Sequence, residues 1–94
     1  MTNARFHLIV RGRVQGVGFR FFVVSTALSL GLTGWTRNRL DDSVEIEAEG
    51  DRAALESLLA QVRQGPPSSR VDDVEIQWES YSGEFRNFEV RRTG

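Results

Sequence analysis

The chain has 94 residues, a size at which one domain with one modest core is expected, since domains most often run to about 100–150 residues. A formal net charge of −1, with apolar and charged fractions of 39% and 27%, describes an ordinary globular protein and not a disordered chain or a dedicated nucleic-acid binder. All twelve basic residues are Arg, cysteine is absent and His7 is the only histidine, which excludes lysine Schiff bases, thiolate nucleophiles, disulfides, zinc–thiolate sites and histidine metal clusters.

Residues 5–11 alternate, with Phe6, Leu8 and Val10 on one side and His7, Ile9 and Arg11 on the other, which predicts a strand. The stretch 12–18 carries Gly12, Gly16 and Gly18 and interrupts it. From Phe19 to Leu30 the positions Phe19, Phe22, Val23, Ala27 and Leu30 have helical spacing, and Gly31 stands where a left-handed cap ends a helix. A short strand is predicted at about 33–39, followed by a turn at Asp41-Asp42-Ser43. Val44, Ile46 and Ala48 then alternate with Glu45, Glu47 and Glu49, a strand expected to have one buried and one solvated face. Asp51 is the expected amino-terminal cap of a second helix with Leu55, Leu58, Leu59 and Val62 as its apolar stripe, closed by Gly65-Pro66-Pro67. Val74, Ile76 and Trp78 mark a further strand, and Phe88 and Val90 a short last one.

The simplest packing of this order is α+β: a ferredoxin-like split βαβ sandwich, βαββαβ plus a short carboxy-terminal strand. Two helices would cover one face of an antiparallel sheet, with 1–94 as a single domain. No stretch approaches the roughly 20 apolar residues of a membrane span. Phe6–Val10 contains a histidine and runs into Arg11, unlike a signal peptide. A cytoplasmic monomer without membrane or nucleic-acid partners is expected.

The chemistry concentrates between the first strand and the first helix. Glycines 12, 16 and 18 permit positive φ and leave backbone N–H groups open to a ligand. The stretch feeds a helix amino terminus, where the first N–H groups lack partners and the macrodipole is positive. Arg20 in the first turn opposes that dipole by about 0.3–1 kcal/mol, a cost that a bound anion would offset. Loop amides, helix terminus and guanidinium together describe a phosphate or carboxylate cradle. Taken alone, the same glycines are also what a plain strand-to-helix turn requires, Arg20 could be a solvated cation and Asn38 a turn former. The Lys-Ser/Thr ending of a Walker loop is missing, as is the third glycine of a dinucleotide fingerprint.

The spelling Gly12-Arg13-Val14-Gln15-Gly16-Val17-Gly18-Phe19-Arg20 resembles the amino-terminal signature of the acylphosphatase family, and Gly34-Trp35-Thr36-Arg37-Asn38 is similar to the start of its second signature. The resemblance spans essentially the whole chain, with two departures: Thr36 replaces a small apolar residue, and Asp42 replaces a glycine, although Asp tolerates left-handed turns. The resemblance implies a ferredoxin-like fold and hydrolysis of the carboxyl-phosphate bond of acyl phosphates, without cofactor or metal. Phosphate binding would fall to Gln15, Gly16, Val17, Gly18, Phe19 and Arg20, and catalysis to Arg20 and Asn38, with inorganic phosphate as product and inhibitor.

With no thiol for a phosphoenzyme, direct attack by water is the expected route, Asn38 holding the water through its amide. Elsewhere His7 reads as structural, Trp35 as packing, and Arg91-Arg92 as a basic pair too short to claim a partner. Two other classes remain open at this point. An RNA-binding sheet is opposed by the glutamates of the third strand. A binding domain that kept the cradle without turnover would share most of its residues.

Overall fold

The structure, a computed structural model, describes residues 2–94; Met1, at the start of the expected domain, lies outside the described residues. Its elements run β1 (Asn3–Arg13), α1 (Phe19–Ser29), β2 (Thr33–Asn38), β3 (Val44–Asp51), α2 (Arg52–Gln64), β4 (Arg70–Glu79) and β5 (Phe88–Val90). One sheet contains all the strands, in the order β4-β1-β3-β2-β5. The four longer strands are each antiparallel to their neighbours, and β5 joins β2 in parallel, so the expected ferredoxin-like sheet is mixed at one edge.

Alternation along β1 and β3 builds the core face. Phe6, Leu8 and Val10 stand opposite Ala48, Ile46 and Val44, and all six are buried. Helical spacing lays Phe19, Val23 and Ala27 of α1 and Leu55, Leu58 and Val62 of α2 against them. Each large side chain withdrawn from water contributes about 1.5–3 kcal/mol. Thr36 is opposite Ile46 and also buried, but its hydroxyl donates to the Glu45 carbonyl at 2.9 Å, so this departure from the family pattern leaves no unpaired polar group.

The helix ends match expectation at one site and not at another. Gly31 follows the last turn of α1 at φ 72°, the left-handed conformation read for it. Asp51 occupies the amino-terminal cap of α2, but its side chain makes no capping bond. The N–H of Arg52 donates instead to the Thr2 carbonyl at 2.8 Å, because the pairing of Asn3 with Asp51 carries the entry into β1 past that helix end.

Gly12 also departs from its expected part as a ligand-facing loop residue. It lies inside β1 at a bulge against β4, where a Cβ would collide with the Arg70 carbonyl. Only glycine permits that approach, at φ 134°.

The larger correction concerns the glutamates of β3. They were expected to be solvated, yet Glu47 is 4% exposed and Glu49 fully buried. The reason is topological. β4 and β5 lie at opposite edges of the sheet, so residues 80–87 must cross it, and they cross the face away from the helices. Glu49 accepts hydrogen bonds from the N–H groups of Ser82 and Gly83 and from the Ser82 hydroxyl, fastening this strap. Arg5 stands beneath it among the carboxylates of Glu47, Glu49, Glu79 and Glu84. Burial, reinforced by Glu79 and only partly relieved by Arg5, pushes the Glu47 carboxyl up to about 7. Glu45 bridges His7 and Arg37, at 2.6 and 2.7 Å. Burial opposes ionisation of Glu45 as well, but the hydrogen bonds from His7 and Arg37 outweigh it and hold the carboxyl below the usual range.

Candidate active site

β1 and β2 run in the same direction on either side of β3, so their carboxy-terminal ends share one end of the sheet. The loop 14–18 leaves the first of these ends and Asn38 closes the second. The sequence separates them by some twenty residues; the sheet brings them to the same end.

Val14 is buried and pins the start of the loop into the core. Gly16 and Gly18 follow at φ 72° and 78°. A Cβ on either would meet nothing, so backbone conformation, not crowding, calls for glycine there. Gly18 is the cap residue of α1 and has no side chain to offer, and the first turn contains no acidic residue. The first internal bond of the helix runs from the Phe22 N–H to the Gly18 carbonyl, at 3.0 Å. Among the described residues, the N–H groups of residues 15–21 find no partner elsewhere in the chain. Several free donors and the positive end of a dipole therefore lie within one short segment. Arg20 is half-buried beside them and, among the described residues, its guanidinium makes no ion pair or hydrogen bond.

Gln15 has a part that its position in the motif did not reveal. Its side-chain Nε2 donates to the carbonyls of Arg39 and Ser43, both at 2.9 Å, and so ties the loop to the β2–β3 hairpin. The hairpin is itself stiff. Arg39 N–H donates to the Ser43 carbonyl at 2.9 Å, the Asp41 carboxylate accepts from the Ser43 N–H at 3.1 Å, and Asp42 takes the left-handed φ of 73° anticipated for it.

Asn38 pairs with Val44 and so points to the helix-covered face, the same side as Thr36. Its Oδ1 is buried and, among the described residues, has no hydrogen-bond partner. A buried acceptor left in this state costs about 1–3 kcal/mol. Its backbone is anchored, the Asn38 carbonyl accepting from the Gly94 N–H at 3.1 Å.

A cleft of about 430 Å³ opens beside the loop, between the start of α1 and β5. Gly16, Gly18, Phe19 and Arg20 line it, whereas Gln15, Val17 and Asn38 do not. Four of the seven residues proposed from the sequence thus border one cavity. Gln15 braces the loop against the hairpin, and Asn38 stands at the end of β2, outside the lining. Sequence reasoning overlooked Phe21, Val24, Phe88 and Val90 in the same lining; the available signal was that Phe21, an aromatic, lies off the apolar stripe of its own helix. Among the described residues, no cluster of three or more His, Asp or Glu side chains is arranged to hold a metal ion.

The family model described as Acylphosphatase matches residues 6–90, which include the loop, Asn38 and all of the sheet but the first three residues of β1. The chain belongs to the acylphosphatase family. It is therefore a hydrolase. Similar proteins include the acylphosphatases of Pelotomaculum thermopropionicum, 48% identical over 96% of this chain and 98% of the relative, and of Syntrophotalea carbinolica, 52% identical over 97% and 99%. The crystal structure of acylphosphatase from Bacillus subtilis superposes with a TM-score of 0.90 at 41% identity, covering 94% of this chain and 98% of that one.

Proposed function

We propose that this acylphosphatase-family chain, acting as a single domain, hydrolyses the carboxyl-phosphate bond of acyl phosphates by direct attack of a water held at Asn38. The observation that carries this reading is the buried, unpartnered Oδ1 of Asn38. A water donating to that oxygen would remove its desolvation cost and leave a lone pair free to attack.

The loop amides of Gln15 to Arg20 and the Arg20 guanidinium hold the phosphoryl oxygens. In a loose phosphoryl-transfer transition state, charge neutralisation and positioning are most of the catalysis. The water oxygen bonds to phosphorus as the bond from phosphorus to the acyl oxygen breaks. The carboxylate leaves with the electron pair, and the water's proton passes to a phosphoryl oxygen, since an amide is too weak a base to take it. A carboxylate departs without protonation, so no general acid is needed. Inorganic phosphate, held by the same donors, is both product and competitive inhibitor.

Purified protein is expected to hydrolyse benzoyl phosphate in the presence of EDTA. In ¹⁸O-water the label should enter phosphate and not benzoate. Arg20→Ala should lose about 10³-fold or more in kcat/KM, and Asn38→Ala about 10²–10³-fold in kcat with phosphate inhibition retained. Because the Asn38 Oδ1 is unpaired, its loss should not lower the melting temperature. Wild-type rates in both folded variants would refute the assignment of the site, and label in benzoate would refute attack at phosphorus.

A further inference from the structure

The cleft beside the cradle has one polar end and a largely apolar remainder. Gly16, Gly18 and Arg20 form the polar end. Val14, Phe21 and Val24 close one side, and Phe88 and Val90 of β5 the other; Glu89 between them alternates to the opposite face of the sheet and pairs with Arg91. Its volume, about 430 Å³, lies within the ~300–1,000 Å³ of small-molecule sites.

Two lining residues have no packing reason to be apolar. Phe21 is 79% exposed and Val90 49% exposed, so neither is explained by the core. Phe21 directly follows Arg20 in the first turn of α1, next to the donors assigned to phosphate. We infer that this cleft is the acyl subsite, that it takes uncharged apolar acyl groups, and that Phe21 determines that preference.

This inference rests on the proposed reading that the loop holds a phosphoryl group. A phosphoryl group seated on Gly16, Gly18 and Arg20 shares its cavity with the apolar walls, so the acyl group attached to it lies against them. An aromatic or branched acyl group would remove Phe21, Val24 and Val90 from water, whereas an acetyl group is too short to cover them. Val14, Phe21, Val24, Phe88 and Val90 carry no donor for a second negative charge on the acyl group, so burying one against them would go uncompensated.

The test compares benzoyl, acetyl and succinyl phosphate as substrates. Alongside them run two stable methylene analogues, (2-oxo-2-phenylethyl)phosphonate and (2-oxopropyl)phosphonate, as competitive ligands. The wild type should favour benzoyl over acetyl phosphate in kcat/KM and the phenyl over the methyl phosphonate in affinity, with succinyl phosphate poorest. Phe21→Ala, at an exposed position, should lower both ratios about tenfold, the scale of losing one good apolar contact in a pocket. Leu28→Ala removes an equally apolar, 56% exposed side chain from the same helix outside the cleft, and should leave the ratios unchanged. Unchanged ratios in Phe21→Ala, equal changes in Leu28→Ala, or succinyl phosphate outrunning benzoyl phosphate would overturn the inference. If no acyl phosphate is turned over while the phosphonate preference persists and depends on Phe21, the hydrolytic reading falls and the apolar subsite stands.

Discussion

At the scale of single residues, the site depends on side chains that are held in place more than on side chains that react. Among the described residues Arg20 has no ion pair and the Asn38 Oδ1 no hydrogen-bond partner, so both are available to a ligand. Gln15 is the residue that relates them. Its two bonds to Arg39 and Ser43 connect the loop bearing the cradle to the hairpin that follows Asn38. Gln15→Ala leaves the backbone amide intact but removes this tie. Two hydrogen bonds of about 0.5–1.5 kcal/mol each bring an expected stability loss of about 1–3 kcal/mol, measured by urea denaturation. Because the water at Asn38 would drift relative to the phosphoryl group, kcat should fall further than phosphate affinity. A variant that loses phosphate affinity and kcat in equal measure would show that Gln15 serves the cradle alone.

At the scale of elements, the glycines of one motif separate into two tasks. Gly16 and Gly18 give the loop its left-handed turns, while Gly12 lets β1 approach β4 at a bulge. The motif spelling does not distinguish them, because the collision that singles out Gly12 is with the Arg70 carbonyl, far along the chain. Gly12→Ala forces a Cβ into that backbone and should cost more than about 2 kcal/mol, as overpacking and φ strain combine. Gly16→Ala meets open space and carries the dihedral cost alone, about 1–2 kcal/mol. Thermal denaturation of the pair checks the order, and a Gly12 variant as stable as wild type would contradict the role given to the bulge.

At the scale of the whole molecule, the strap 80–87 covers Glu47 and Glu49 on a sheet face that alternation alone marks as wet. Glu47 records the consequence. Its carboxyl titrates near 7 in the fold but near 4.5 when unfolded, so the folded chain keeps its proton longer. The Glu47 contribution to stability then falls as pH rises from about 4.5 to about 7, the unfolded state releasing its proton first. Glu47→Gln cannot ionise and should remove that slope, becoming more stable relative to wild type at pH 7 than at pH 5, as urea midpoints at the two values would show. Equal slopes would mean that Arg5 keeps Glu47 ionised throughout.

The sequence by itself determined the strand and helix order, the core face, the left-handed cap at Gly31 and turn at Asp42, and the loop with its arginine. All of these rest on local periods, local dihedrals or neighbours within one turn, which adjacent residues specify. Only the tertiary structure decided which glutamates are buried, what caps α2, why Gly12 is glycine and where Gln15 reaches. It also decided that β5 walls a cleft beside the cradle. Each of these depends on a partner more than twenty residues away, and a period-two pattern reports that a face alternates without saying what later crosses it. The unpaired oxygen of Asn38 belongs to this second group: the sequence named the residue, and the packing around it left the oxygen without a partner among the described residues.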